Sequence, residues 1–386
     1  KEVQALSDKL HPGDQLVLTG TDWKDARFVF AGHGTMEAPI LIRPEKPGSV
    51  VFSGASGVTF YGEHLVIMGL EFRQVVPAKD KAAIFRLGAG RDRPADNCIV
   101  DRIRMENCNS PSPADWPRQK IWYMTAGFGR NNTVANSTFS GLRHKGQMIG
   151  AAELPPGQLQ GLHILNNHFS DRPFLDGTNG YEIIQIGWSG ERARAAGSLI
   201  AGNTFENCDG ENETITLKAS DIFVRNNTFA GCQGVLCLRT ARRVLVQGNV
   251  FESKGRASTG GVRMQGEGHV IFGNTFRHLE KPRDYYYWPI SLMSASVEHY
   301  GDHGDVQGYG RTMDVLIAGN RFEGCEDSIA VGLAYSKDYP LLPSNIHVCD
   351  NIFMGTTATT PFGFVVSDPT GALPKELHVS GNRFRR

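Results

Sequence analysis

Short runs of apolar residues alternate with polar turns along this chain, and no long segment shows helical periodicity. Early runs of this kind occupy residues 15–18, 40–42, 50–52, 58–60 and 65–67. Each run is mostly β-branched or apolar and is flanked by Gly, Pro or charged residues, as is typical of short strands. The pattern therefore predicts an all-β protein with many brief strands.

A three-residue motif, Asn followed by a variable residue and Phe, recurs through the chain. Its copies begin at Asn167, Asn203, Asn227, Asn249, Asn274, Asn320, Asn351 and Asn382, with a related copy at Asn136. The closest spacings are 24, 22 and 25 residues, which is the length of one coil of a solenoid. We therefore predict a single-stranded right-handed parallel β-helix in which the repeated Asn side chains hydrogen-bond from coil to coil.

The N-terminus departs from the strand pattern. Val3, Leu6 and Leu10 have helical spacing and precede a Pro-Gly-Asp turn at 12–14, so we predict a short capping helix within residues 1–14. The repeat continues to the end of the sequence, and we expect residues 1–386 to form one β-helix domain.

Composition excludes several classes of function. The 40 basic and 40 acidic residues balance, which gives no general field for nucleic acid, and no apolar run approaches the roughly 18 residues of a membrane span. We therefore expect neither a nucleic acid nor a membrane as a partner, and we expect a monomer.

The seven cysteines are odd in number and scattered, so they predict no disulfide framework. Cys208, Cys232 and Cys325 each follow a repeat Phe by three residues, which predicts a buried column of thiols.

Two carboxylates stand close together at Glu211 and Glu213. A strand would put both on one face, and a hard cation such as Ca²⁺ would relieve their repulsion through oxygen ligands. Asn179, one expanded coil earlier, could add an amide oxygen. A solvated acidic strand is the other interpretation of this pair.

Basic residues follow at intervals of about one coil. Arg239 comes 21 residues after Lys218, and Arg263 comes 24 residues after Arg239. If the register holds, the three cations form a column about 4.8 Å apart, which would suit an anionic ligand. Salt bridges to nearby acids would also account for them.

One reaction uses all of these groups. β-Elimination of a uronic-acid polymer requires a cation to neutralise the sugar carboxylate, a base to take the C5 proton and an acid near the glycosidic oxygen. Calcium, Lys218 and Arg239 could fill these three roles.

The sequence around these residues resembles polysaccharide lyase family six, which contains alginate lyases and chondroitinase B. The motifs that carry the resemblance lie at 179–187, 211–218 and 227–239, with further similarity at 12–14, 261–269 and 288–293. The resemblance implies calcium held by Asn179, Glu211 and Glu213, Lys218 as base, Arg239 as acid, and a periplasmic or secreted protein whose signal is absent from this chain.

The sequence departs from the family pattern at three positions. Thr240 and Ala241 follow Arg239 where the family usually has His and Gly, and Gln185 stands where it usually has Arg. These changes bear on substrate identity more than on the chemistry. Alginate is the expected substrate because alginate lyases are the more frequent members of the family, with dermatan or chondroitin sulfate as the alternative.

Several residues outside the motifs are candidates for substrate binding. Long insertions in solenoids usually shape the binding face, and the insertion after Asn274 contains aromatic residues at 285–288, of which Tyr287 and Trp288 are expected to serve as sugar platforms or to pack on the coil. The basic candidates for binding uronate or sulfate groups are Arg143, His144, Lys145, Arg172 and Arg263.

Three other functions use similar scaffolds. A pectin-type hydrolase could use Glu211 and Glu213 as paired carboxyls, but it would leave Lys218 and Arg239 without a role. A mannuronan epimerase would need an Asp-Pro-His-Glu signature, and here Asp368-Pro369 is followed by Thr370. A non-catalytic carbohydrate-binding solenoid would explain the aromatic residues but not the acids and cations in successive coils.

Overall fold

The computed structural model describes residues 1–155, 157–175, 179–188, 190, 194–279, 287–296, 299–300, 306–307, 309–325, 327–335, 337–366 and 374–386. The chain divides into two compact units, Lys1–Gln185 and Ile186–Arg386. Both units contain three parallel sheets, named A, B and C here, and most coils contribute one strand to each sheet. The predicted parallel β-helix is therefore confirmed, while a single domain over 1–386 stays a prediction.

The first unit begins the three sheets. Sheet A contains Gln15–Leu18, Ile40–Pro44, Leu65–Met68, Ile99–Asp101, Thr133–Ala135 and His163–Leu165. Sheet B contains Trp23–Lys24, Val51–Gly54, Glu71–Val75, Arg104–Glu106, Thr138–Ser140 and His168–Arg172. Sheet C contains Arg27–His33, Gly57–Glu63, Ala82–Leu87, Ala95–Asp96, Ile121–Thr125 and Ile149–Ala151. The strand Ile184–Ile186 runs across the boundary between the units.

The second unit repeats the arrangement. Sheet A contains Leu199–Ala201, Phe223–Arg225, Leu245–Gln247, Val270–Phe272, Met313–Ala318, Ser344–Cys349 and Leu377–Ser380. Sheet B contains Thr204–Cys208, Thr228–Ala230, Val250–Glu252, Thr275–Arg277, Arg321–Glu323, Ile352–Met354 and Arg383–Arg385. Sheet C contains Glu213–Leu217, Val235–Leu238, Val262–Met264, Ile290–Met293, Ile329–Leu333 and Phe362–Val365. A small antiparallel hairpin pairs His299–Tyr300 with Val306–Gln307.

The repeated Asn residues form the predicted ladder in the second unit. The side-chain amide of Asn227 donates to Asn249 Oδ1 at 2.9 Å and to the carbonyl of Ile200 at 2.9 Å. The same pattern continues through Asn274 and beyond. In the first unit the side chain of Ser137 takes one such position and accepts from the Ile103 amide at 3.0 Å. These bonds satisfy polar groups that each turn would otherwise bury without partners.

The backbone conformation of the residue before each repeat Asn explains why Gly is common at that position. Gly202, Gly248 and Gly273 have φ between 64° and 68°, and Asn226 and Asp350 have φ of 54° and 56° at the equivalent positions. A left-handed turn of this kind costs least for Gly and is tolerated best by Asn and Asp among the other residues. The turn directs the following Asn into the ladder.

The repeat Phe residues stack inside the coil. Phe229 and Phe251 have ring centroids 4.6 Å apart at an interplanar angle of 6°, and the stack continues along sheet B. Cys208, Cys232 and Cys325 are buried beside this stack, as predicted. All seven cysteines are free thiols.

The N-terminal helix spans only Glu2–Ala5. The short helix predicted within residues 1–14 is therefore confirmed, and residues 6–9 form turns in which the Asp8 amide donates to the carbonyl of Ala31. No helix in the described part of the chain has the length and apolar character of a membrane span.

Candidate active site

The strand Glu213–Leu217 of the second unit has an irregular register that determines which side chains share a face. Glu213 pairs with Val235, but the next pair is Ile215 with Leu236, so Thr214 is an extra residue. Such a bulge reverses the alternation of side chains. As a result Glu213 lies on the same face as Thr216, which donates its hydroxyl hydrogen to Glu213 Oε2.

Glu213 is the centre of a buried ion-pair cluster. Its Oε1 accepts a hydrogen bond from Arg263 Nη2 and lies 3.5 Å from Arg239 Nη1. Burial alone would raise the pKa of this carboxyl, but the ion pairs with Arg263 and Arg239 outweigh burial and lower its pKa to about 2. Glu213 is therefore ionised at neutral pH, and it orients both guanidinium groups.

Lys218 and Arg239 are neighbours in sheet C, as predicted. Leu217 pairs with Leu238, and the Arg239 amide donates to the carbonyl of Leu217 at 3.0 Å, so Lys218 and Arg239 occupy the next matched positions. Both side chains are partly exposed, with 23% of the Arg239 side chain accessible.

The predicted extension of this column to Arg263 is wrong. Arg263 pairs with Cys237, and Met264 pairs with Leu238, so Gln265 occupies the position after Arg239. The reason is that the spacing between coils varies, and a count of residues does not fix the register. Arg263 is only 2% exposed and donates to Glu213 Oε1 and to Cys237 Sγ, so it does not face a groove as a substrate-binding residue.

A cluster of three tyrosines, Tyr309, Tyr335 and Tyr339, covers these arginines. Their ring centroids lie 5.2–5.6 Å apart. Arg239 Nη2 donates to the Tyr309 hydroxyl oxygen at 2.6 Å, and the guanidinium carbons of Arg239 and Arg263 lie 5.2 Å and 5.9 Å from the rings of Tyr309 and Tyr335. Burial raises the pKa of Tyr335, which therefore stays protonated.

Sequence reasoning missed these three tyrosines because they lie outside the repeat, in segments far from Arg239 in the chain. The strand periodicity carries no information about which loop covers which strand. An unusual density of tyrosine between residues 285 and 339 was the only signal available.

Of the two predicted aromatic residues, Trp288 packs on the coil, and the role of Tyr287 as a sugar platform stays a prediction. Trp288 is 8% exposed and packs against Met293, Ala330 and Leu333, so it is part of the core. Tyr287 is partly exposed and donates its hydroxyl hydrogen to Asn212 Oδ1 at 3.0 Å. The remaining two aromatic residues of this run, at 285 and 286, lie outside the described residues, as do residues 368–370.

Two of the predicted basic binding residues are interior residues of the first unit. Arg172 is fully buried, and its guanidinium donates to the carbonyls of Leu142, Gly146 and Tyr181 at 2.8, 2.8 and 3.2 Å. His144 is also fully buried and accepts from the Ser110 amide. Their prediction as substrate-binding residues is wrong, because both side chains point inwards and hydrogen-bond to main-chain groups of the coil.

The other two basic candidates of the first unit are partly exposed. Arg143 stacks on Trp116, with its guanidinium carbon 5.5 Å from the ring centroid. Lys145 Nζ lies 5.9 Å from the ring centroid of the buried Tyr181. Their role in substrate binding stays a prediction.

The predicted calcium ligands fit the ion in their chemistry. Carboxylate and amide oxygens are the ligands that Ca²⁺ prefers, and the low pKa of Glu213 keeps its carboxylate ionised. Glu211 precedes the strand, so the prediction that it shares a strand face with Glu213 is wrong. Asn179 belongs to the first unit, and its grouping with the two glutamates stays a prediction. The described residues contain no cluster of three or more His, Cys, Asp or Glu side chains able to hold a metal.

The parallel β-helix and the cluster of ionised carboxylate, cations and phenols are compatible with an enzyme that acts on polysaccharides. The chain belongs to the chondroitinase B family, whose model matches residues 1–360, and it is a polysaccharide lyase. A comparison with curated proteins found no match.

Solved structures of lyases from polysaccharide family six have the same fold. A mannuronic acid specific lyase from the human gut microbiota is 24% identical with a TM-score of 0.82, over 98% of this chain and 79% of that chain. The alginate lyase AlyGC is 23% identical with a TM-score of 0.83, over 96% of this chain and 53% of its own. Pedsa3628 from Pseudopedobacter saltans is 20% identical with a TM-score of 0.83, over 98% and 90%.

Proposed function

We propose that this lyase cleaves alginate by β-elimination. The observation that carries the proposal is the placement of Lys218 beside Arg239, both partly exposed, next to the ionised Glu213. Similar structures described as alginate lyases favour alginate as substrate. A sulfated glycosaminoglycan is the second candidate, because the matching family model is that of chondroitinase B.

In this proposal Lys218 is the base. Its neutral amine takes the proton from C5 of the uronate, the electrons of that C–H bond form the C4–C5 double bond, and the C4–O4 bond breaks with its electron pair going to O4. The product carries a 4,5-unsaturated uronate at its new non-reducing end. Arg239 and Arg263 outnumber the single carboxylate of Glu213, which leaves positive charge to stabilise the carboxylate of the sugar as negative charge develops on it.

Arg239 stabilises charge in this proposal, and Tyr309 donates the proton. Arg cannot readily lose a proton, and the ion pair with Glu213 outweighs burial to raise the pKa of Arg239 further. The Tyr309 hydroxyl oxygen accepts from Arg239, which leaves its own hydrogen free to protonate the leaving O4. The tyrosinate that forms is stabilised by Arg239 and regains its proton from Lys218 through water. The family resemblance instead implies Arg239 as the acid.

Calcium is part of the proposal. Asn179, Glu211 and Glu213 would hold the ion, which would supply positive charge for the carboxylate of the substrate. Isothermal titration with Ca²⁺ should show binding that Glu211→Gln weakens, and chelation should remove activity that added Ca²⁺ restores. Full activity and no measurable binding in metal-free protein would contradict this part.

The substrate is tested by the ultraviolet absorbance of the unsaturated product. The panel should contain polymannuronate, polyguluronate, dermatan sulfate and chondroitin sulfate. We expect absorbance to rise with at least one alginate polymer. A rise with the sulfated polymers alone would replace alginate by a glycosaminoglycan, and no rise with any of the four would contradict the proposed substrates.

The expected cellular location and oligomeric state of the enzyme belong to the same proposal. Lyases of this kind act on extracellular polymers, so we expect this protein to be periplasmic or secreted and to act as a monomer. Light scattering of the purified protein would check the oligomeric state.

A further inference from the structure

The first unit has a cleft on the outer face of its sheet C that none of the proposed chemistry uses. Its volume is about 290 Å³, close to the lower limit of about 300 Å³ for small-molecule sites. The side chains that give the cleft its character are Lys81, Arg86, Lys120, Trp122, Gln147 and Glu153.

The indole of Trp122 is held in one orientation by a chain of buried polar groups. Its Nε1 donates to Gln147 Oε1 at 2.6 Å, and Gln147 Nε2 donates to Glu182 Oε2 at 2.6 Å. Gln147 and Glu182 are 2% and 1% exposed, whereas Trp122 itself is partly exposed. Gln147 and Glu182, called the relay here, are two buried polar side chains that orient an aromatic ring at the surface.

The backbone beneath the ring is also adapted to it. A Cβ atom at Gly150 would lie 3.0 Å from Trp122 Cδ1, which is closer than such contacts normally come. Gly150 lies on the strand Ile149–Ala151, next to the strand that carries Trp122. Glycine at this position lets the indole lie against the sheet.

The charge of the cleft is mainly positive. Lys81 and Arg86 are exposed, and Lys120 Nζ lies 4.9 Å from the Trp122 ring centroid. Glu153 is the one carboxylate among the described residues that line the cleft, and its Oε2 pairs with Arg91 at 3.3 Å. The exposed cations therefore face the cleft with little opposing charge.

We propose that this cleft binds an anionic saccharide, with the Trp122 ring packing on the apolar face of a sugar and the cations binding its carboxylate or sulfate groups. This inference rests on the proposed function for the class of ligand. Cation–π packing of Lys120 on Trp122 alone would not require the buried relay through Gln147 and Glu182. The relay fixes the position of the ring edge, as a site for a ligand of defined shape requires.

The test uses the full-length chain carrying Lys218→Ala, so that saccharides are bound and not cleaved. Isothermal titration measures binding of oligomannuronate, oligoguluronate, a dermatan sulfate oligosaccharide and neutral cellohexaose. Trp122→Ala and the double variant Lys120→Gln, Arg86→Gln are compared with Lys46→Gln, an exposed lysine that does not line the cleft. The double variant alters side chains at the surface and keeps the indole and its relay.

We expect both cleft variants to weaken one class of sites for an acidic oligosaccharide at least tenfold, or about 1.4 kcal/mol, while Lys46→Gln and cellohexaose show no such effect. Preference for the uronate or the sulfated ligand identifies the source of the charge. Unchanged affinity for every acidic ligand in both cleft variants overturns the proposal.

The proposed lyase activity is scored separately, by product absorbance with Lys218 restored. Failure of that assay contradicts the proposed function and leaves the binding result to decide the cleft. Normal absorbance together with unchanged affinities contradicts the cleft alone.

Discussion

Each unit of this protein contains a buried arginine in a β-helix coil, and the two have different partners. Arg172 in the first unit donates to three main-chain carbonyls. Arg263 in the second unit donates to the carboxylate of Glu213 and lies beneath Tyr335. Both are no more than 2% exposed, so burial does not distinguish them.

The difference lies in what each arginine does to its surroundings. Carbonyl acceptors are neutral and belong to the backbone, so Arg172 fixes the path of the chain between Leu142 and Tyr181. Glu213 is charged and also pairs with Arg239, which is partly exposed. Arg263 therefore orients a side chain that reaches the surface. A buried cation indicates a functional site when its partner is shared with an exposed group.

The strongest test of this comparison removes the exposed groups of the second unit. Loss of a general base typically costs about 10²- to 10⁴-fold in rate. We expect Lys218→Ala and Arg239→Ala each to lower turnover within that range, as measured by product absorbance, while circular dichroism and thermal unfolding stay as in the wild type.

Lys254→Ala is the matched control for Lys218→Ala, because Lys254 is an exposed lysine of the same unit that pairs with Glu252. It should keep full turnover. If Lys218→Ala keeps more than roughly a tenth of wild-type turnover, well short of the typical loss, the base is another residue, with Lys145 as the nearest alternative.

The second test exchanges the buried arginines themselves. Arg172→Met would leave three buried carbonyls without their donors, and unsatisfied buried groups cost about 1–3 kcal/mol each. We expect a loss of about 3 kcal/mol or more in the free energy of unfolding by urea. Folded Arg172→Met protein should keep wild-type turnover.

Arg263→Met should have the opposite pattern, in which turnover per folded molecule is the property that falls. It leaves the ionised Glu213 with Arg239 as its remaining arginine partner, so the position of Arg239 changes and turnover falls. Equal effects of the two substitutions on turnover per folded molecule would refute the distinction between a structural and a positioning arginine.

These contrasts also show what could be predicted from the sequence. The strands, the Asn ladder and the Phe stack follow from one repeat, because each coil satisfies the same packing and hydrogen-bonding needs. The neighbouring positions of Lys218 and Arg239 could be predicted for the same reason. The repeat carries that information only where successive coils have nearly equal length.

Other features depend on local departures from the repeat. The bulge at Thr214 turns Glu213 towards Thr216, and nothing in the spacing indicates it. The inward path of Arg172 depends on three carbonyls whose directions are set by the folded turn. The position of Tyr309 over Arg239 depends on a contact 70 residues apart in sequence.

A third test concerns the phenol that covers the exposed arginine. Tyr309→Phe keeps the ring against the Arg239 guanidinium and removes the hydroxyl that we propose as proton donor. We expect turnover to fall about 10²-fold, at the lower end for loss of an acid, and the alkaline limb of the pH–rate profile to change.

Tyr339→Phe is the matched control, because it removes a hydroxyl from the same cluster and leaves Tyr309 in contact with Arg239. It should keep turnover and pH profile. A wild-type pH profile for Tyr309→Phe would show that the proton comes from another group, with Arg239 as the alternative that the family resemblance implies.

The smallest expected effect compares a buried histidine from each unit. Burial lowers the pKa of His144 and of His269 to about 4, and the positive charge of Arg172 contributes for His144. Between about pH 6.5 and about pH 4 the unfolded chain therefore binds protons that the folded chain does not. Stability should fall as pH falls through this window, with no further loss from these groups below about pH 4.

His269→Gln and His144→Gln should each flatten this dependence. At about pH 5 each histidine accounts for a loss on the order of 2 kcal/mol relative to neutral pH. Urea unfolding of wild type and variants at about pH 7 and about pH 5 measures the difference directly. Because Arg172 repels a proton on His144, Arg172→Met should raise the pKa of His144 and reduce its share of the pH dependence, while that of His269 stays unchanged. An equal change for both histidines would mean that the two units respond to pH through a common process and not through local burial.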